Sequence, residues 1–113
     1  MDVTKSIIKI DGALSPVAEA VRQDLETVEK DVMGNGEEWL FWEDGLLRIS
    51  FEGLYFPIEE ALAILEPHLT GTSSGKLDIL DLEDWTLTRH ELRNGQLTAS
   101  TRRLNHVLDY AGH

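Results

Sequence analysis

Apolar positions recur along this chain with two distinct periods, and the alternation between them sets out its elements. Val17, Val21, Leu25, Val28 and Val32 fall at spacings of 4, 4, 3 and 4, which puts them on one stripe of a helix. Glu19, Arg22, Glu26, Glu29 and Lys30 take the opposite side. Ser15-Pro16 reads as its N-cap and first helical residue, and Gly34 as its stop. A second stripe, Ile58, Ala61, Leu62, Leu65 and Leu69, follows Pro57, with Pro67 straining its last turn. Leu104, Val107, Leu108 and Ala111, closed by Gly112, predict a short terminal helix.

Between these stripes the pattern shifts to strand. Lys5 to Ile10 reads as a short strand ended by an Asp11-Gly12 turn signal. From Glu37 to Glu52 the chain reads as an aromatic-rich hairpin around Asp44-Gly45, a pair suited to a two-residue type I′ loop. That loop sets a register: Leu40 opposite Ile49 and Trp42 opposite Leu47 on one face, Phe41 opposite Arg48 and Trp39 opposite Ser50 on the other. The first face is core. The second carries two large aromatics beside an arginine, which requires either a covering element or a partner. Gly71-Thr72-Ser73-Ser74-Gly75 reads as a loop, Leu77 to Leu82 as a buried strand, and Trp85 to Leu92 as another. Asn94-Gly95 is a second type I′ signal, pairing Leu92 with Leu97 and returning the chain antiparallel to about Ser100.

This order predicts a single α+β domain over residues 1–113: a mostly antiparallel sheet of about five to six strands with three helices. Its first six elements fit either a split βαβ, ferredoxin-like arrangement followed by a C-terminal hairpin and helix, or one antiparallel sheet flanked by helices. A chain of 113 residues buries about 65% of its unfolded surface, enough for a core without staples.

Charge narrows the choice of partner. The chain carries 21 acidic and 10 basic residues, a formal net charge of −11. Fifteen of the acidic residues, against five basic ones, lie in residues 1–69. Such a field repels nucleic acid and anionic lipid, whose binding rests on Lys and Arg neutralising phosphate, and favours a basic protein partner or none, solubility alone being the commoner reason for such acidity. Cysteine is absent, which excludes thiol chemistry and Cys-based metal sites. Lys5 and Lys9 interrupt the N-terminal apolar residues, so no signal-peptide core forms there, and no run is long enough to span a membrane. A cytoplasmic location is expected.

No catalytic residue, metal site or cofactor is assigned from the pattern. Gly71 to Gly75 matches the letters of a nucleophile elbow, but that device sits between a strand and a following helix, and here the order is helix then strand. Asp78, Asp81, Glu83 and Asp84 fit no EF-hand spacing and read as a solvated strand end. His106, Asp109 and His113 share one side of the expected terminal helix at a spacing compatible with zinc, though exposed helix faces collect such residues by chance. Arg89 and Arg102 come near one face of the second hairpin, where with His90 they form a candidate anion site. His90 is also the best single candidate for acid-base work, and a structural histidine is the commoner explanation.

Small size, acidity, absence of cysteine and the order helix, hairpin, helix, meander, helix are similar to those of bacterial secretion chaperones and of immunity proteins that neutralise toxins. The likeness implies a bacterial adaptor, chaperone or inhibitor, rests on element order and charge, and assigns no residue. The sequence therefore predicts a non-catalytic, acidic protein-binding domain, with Trp39, Phe41 and Arg48 as anchor and Glu37, Glu38, Glu43 and Asp44 as the charged surround. Homodimerisation is compatible with it. Two alternatives stand beside it: a small ligand-binding domain or enzyme with a pocket near His90, Arg89 and Arg102, and a nucleic-acid mimic inhibiting a basic protein.

Overall fold

The structure, a computed structural model, describes residues 7–34, 36 and 38–104. It is α+β: one open, antiparallel sheet of seven strands with two helices. In chain order these are β1 (Ile8–Ser15), α1 (Ala20–Glu26), β2 (Met33–Gly34), β3 (Leu40–Glu43), β4 (Leu46–Tyr55), α2 (Ile58–Leu65), β5 (Ser74–Asp81), β6 (Thr86–Arg93) and β7 (Gln96–Arg103). The sheet runs β2, β4, β1, β5, β6, β7, and β3 also pairs with β4. The ten residues of β4 hold both short strands: β3 against its first half and β2 at its far end, where Met33 lies opposite Tyr55.

The two hairpins form as the loop chemistry dictates. Asp44 and Gly45 have φ of 49° and 86°, and Asn94 and Gly95 have φ of 51° and 80°, the left-handed pair that a type I′ turn needs. Leu40 faces Ile49, Phe41 faces Arg48 and Trp42 faces Leu47. Leu92 faces Leu97, and β7 continues without a register shift as far as Arg103, three residues past the expected end.

Elsewhere tertiary contacts override local signals. Asp11-Gly12 makes no turn, because β1 runs straight through it to Ser15, in the centre of the sheet between β4 and β5. Glycine is required there by closeness: a Cβ on Gly12 would stand 2.1 Å from the carbonyl oxygen of Lys76. Ser15 therefore ends a strand instead of capping a helix, and α1 starts only at Ala20. The apolar stripe persists beyond the helix, since Val17, Val21, Leu25 and Val28 are all buried, yet regular helix stops at Glu26 and a 3-10 turn covers Glu29–Asp31. The amide of Val17 donates to the carbonyl of Gly45 at 2.8 Å, fastening this segment to the β3–β4 loop. After α2, Pro67 sits in a 3-10 turn, Glu66–His68, as its missing amide hydrogen demands.

Two helices, not three, stand among the described residues; the expected terminal helix, with His106, Asp109 and His113, lies outside them beyond Leu104. Sheet residues Ile10, Leu14, Leu47, Ile49, Phe51 and Leu77 join Val21, Leu25, Ala61 and Leu65 of the helices in one core. No helix among the described residues is long and apolar enough to cross a membrane.

Candidate functional site

Strand alternation buries Leu40, Leu47, Ile49 and Phe51 on the inner face of the β3–β4 hairpin. Trp42, on the same face, is half-buried and donates its indole N–H to the carbonyl of Val17 at 3.0 Å. Trp39 and Phe41 do not both stand exposed on the open face. Trp39 lies one residue before β3, where its side chain is no longer bound to the pleat. Its carbonyl still accepts the amide of Ser50 at 2.9 Å, but only 6% of the residue is exposed. The indole meets the ring of Phe56 edge-on, with centroids 5.1 Å apart at 84°, and Phe56 in turn packs on Phe51 at 5.0 Å. Tyr55-Phe56-Pro57, with an aromatic at the entrance to α2, is the sequence signal for this cover.

Phe41 stays out, at 40% exposed, and so does Leu46 at 44%. A groove of about 460 Å³ holds both, with Arg22, Glu38, Glu43 and Arg48 around them. A second groove of about 400 Å³ runs along the other side of Phe41, lined by Lys9, Asp11, Glu38, Trp39, Ser50 and Glu52. Phe41 is thus a ridge between two charged troughs. Arg48 reaches Asp11 at 3.7 Å and Lys9 reaches Glu52 at 3.7 Å; both pairs are solvent-exposed, so neither contributes much to stability. Glu43 and Asp44 are exposed beside them, and Glu37 lies outside the described residues.

The second candidate site does not assemble. Arg89 stands directly opposite Asp78 on β5 and donates through Nε and Nη2 to both carboxylate oxygens, at 2.7 and 3.0 Å. The guanidinium hydrogen bonds hold the Asp78 carboxyl below its usual range and raise the Arg89 pKa further. Arg102, opposite Leu87, shares that face but is exposed. His90 points to the other face, between Leu77 and Ala99, and burial pushes its pKa below the ordinary histidine value. One arginine is engaged and the histidine is on the wrong side.

The remaining motifs resolve into structure. Ser73 is fully buried: its hydroxyl donates to the carbonyl of Pro16 at 2.7 Å and accepts the amide of Thr70 at 2.9 Å, while its carbonyl takes the amide of Gly95. It ties together the end of β1, its own loop and the β6–β7 turn, a role that leaves no motif to read. Asp81 caps a turn by accepting the amides of Glu83 and Asp84 at 2.9 and 3.1 Å. Among the described residues no three His, Asp or Glu side chains gather as a metal would need. Compared with known proteins, the chain matches no family model, no curated protein and no solved structure.

Proposed function

We propose that this chain is a non-catalytic protein-binding domain that recognises its partner through the open face of the β3–β4 hairpin, with Phe41 and Leu46 as the apolar anchor. The observation that carries this reading is their joint exposure in one groove rimmed by charge. An aromatic ridge inside a polar rim is the composition of a binding hot spot, since the ring offers much area for little lost entropy. Trp39 plays a different part, packed in the core against Phe56. The acidity of residues 1–69 favours a basic partner and speeds encounter with it. The location proposed for this binding is the bacterial cytoplasm.

We also read the fold as a split βαβ unit extended by a hairpin. The order β3, β4, β1, β5, with α1 joining β1 to the segment before β3 and α2 joining β4 to β5, supports this. In such a unit both helices cover one face and leave the other free for contacts.

The test is affinity capture from cell lysate with mass identification, comparing the natural chain with the F41A/L46A double variant. The double variant should lose the captured protein while its urea midpoint falls only slightly. Retention of that protein by the folded double variant sinks the reading. Capture that weakens steeply between low and moderate salt supports the basic partner, and a flat response removes electrostatic steering.

A further inference from the structure

The far edge of the sheet carries features that the hairpin reading leaves unused. Among the described residues β7 pairs only with β6, so its outer side is an open edge eight residues long. Hairpin geometry tells which groups point outward. Arg93 and Gln96 flank a two-residue loop and form its closing hydrogen-bonded pair, and antiparallel pairs alternate from there. The amide of Leu104 bonds the carbonyl of Trp85 at 2.9 Å, in keeping with even-numbered residues bonding inward. Leu97, Ala99, Thr101 and Arg103 therefore turn their N–H and C=O groups away from the sheet.

Natural sheets protect such edges with proline, lysine, bulges or very short strands. From Gln96 to Thr101 β7 has no charged residue and no proline, and its register has no bulge. It is a regular, unguarded template. Its two sides differ in chemistry. On the helix side a groove of about 580 Å³ lies between β7 and α2, lined by Leu62, Ala63, Leu69 and Leu97, with Glu59 and Glu66 at its rim. On the opposite side a groove of about 420 Å³ is lined by Arg89, Arg93, Gln96, Thr98 and Ser100, with Glu91 beside them. Strands β6 and β7 together carry four arginines, Arg89, Arg93, Arg102 and Arg103, against the single carboxylate of Glu91. Arg93 is paired with Glu91 and Arg89 with Asp78; Arg102, on that same side, and Arg103, which strand parity puts on the helix side, have no acidic partner among the described residues.

We propose that β7 accepts an additional antiparallel strand from an extended peptide in which apolar and acidic residues alternate. Backbone bonding to the outward groups supplies affinity, and the two unlike grooves select the side chains. Apolar residues of the peptide enter beside Leu97 and Leu62; acidic ones meet the arginine side. A second copy of this chain is disfavoured as occupant, because edge-to-edge pairing sets two basic strands together.

Amide hydrogen exchange, read by NMR on the labelled chain, tests this with an end-blocked octapeptide of alternating Val and Glu at millimolar concentration. The amides of Leu97, Ala99, Thr101 and Arg103 should exchange about tenfold more slowly, and those of Thr98, Ser100 and Arg102 should not change. The A99P variant removes one outward donor without touching the β6–β7 ladder, so it should keep its urea midpoint and lose the protection. R102E, which needs no backbone change, should weaken the response about tenfold as a second, independent variant. An alternating Val-Lys peptide giving equal protection overturns the acidic assignment. Protection that appears without peptide and grows with a doubling of mass assigns the edge to a second copy and overturns the proposal, as does the absence of any odd-even difference.

Discussion

The sheet has two unequal halves, and they solve the problem of burial differently. In the β3, β4, β1, β5 half, the helix-facing positions are occupied by Leu40, Leu47, Ile49, Phe51, Ile10, Leu14 and Leu77, all buried in the core. In the β6, β7 half the equivalent positions read Thr88, His90 and Leu92, then Leu97, Ala99 and Thr101, of which only Leu92 is fully buried. The first half is held by packing. The second is held by its ladder, by Ser73 at one end and by the Arg89–Asp78 fork on the reverse face. A surface that owes little to the core is free to vary, so binding features concentrate where burial ends: Phe41 at the rim of the covered half, β7 at the limit of the bare one.

The sharpest contrast is within one hairpin. Truncating Trp39 to Ala removes the ring under Phe56 and should destabilise the fold by about 3–5 kcal/mol, whereas F41A, two residues on, should cost about 0.5 kcal/mol or less. Urea unfolding of the two variants measures both. Equal effects would mean that Phe41 is as much core as Trp39 and would end its case as an anchor. The same comparison across the halves pairs L47A, at about 2–5 kcal/mol, with L97A, where a half-buried position should give clearly less than half of that.

How much of this is legible in the sequence differs by element for a physical reason. Both hairpins are readable because Asp-Gly and Asn-Gly fix a register through two backbone angles, a local property. The core faces of β3 and β4 follow from that register. The extent of α1 does not follow, because the Val17 to Val28 stripe serves burial beyond both ends of the regular helix: Val28 is held by a tighter 3-10 bond to the carbonyl of Leu25, and Val17 by a contact with Gly45 from another element. Gly12 escapes a local reading for the same cause: its smallness answers to the neighbouring strand, and sequence alone shows only a turn former. At the candidate sites, the position of Phe41 is legible and the burial of Trp39 is not, since its cover, Phe56, lies 17 residues away. The Arg89, Arg102 and His90 group fails on strand parity and on Asp78, a partner visible only once β5 and β6 are set in register.

Next in size is Ser73. S73A leaves the carbonyl of Pro16 and the amide of Thr70 without their buried partner, a loss of about 1–3 kcal/mol. The effect should reach both halves, because this hydroxyl holds Pro16 just after β1 while the backbone carbonyl of the same residue holds the β6–β7 turn. Exchange of the Gly95 amide, whose acceptor is the Ser73 carbonyl, should accelerate in S73A well before the β3–β4 hairpin responds. Simultaneous acceleration everywhere would show that the two halves unfold as one unit.

The smallest effects are those of pH, and they separate the halves by window. Asp78 has its folded pKa lowered from 3.8, chiefly by the hydrogen bonds from Arg89, so its contribution is present above 3.8 and disappears as pH falls through the lower folded value. His90 has its pKa lowered from 6.5 by burial, and its cross-strand neighbours Leu77 and Ala99 carry no charge to offset that cost. The unfolded chain therefore takes up the proton first. Stability is complete above 6.5 and declines as pH drops from there through the folded value. H90L abolishes the group that must charge, so the difference in urea midpoint between H90L and the natural chain should widen in favour of H90L between about pH 7 and 5, and D78N should leave that interval unchanged. If the slope persists in H90L, His90 is as well hydrated in the folded chain as in the unfolded one, the bare half is more open to water than the burial of His90 implies, and another group carries the titration.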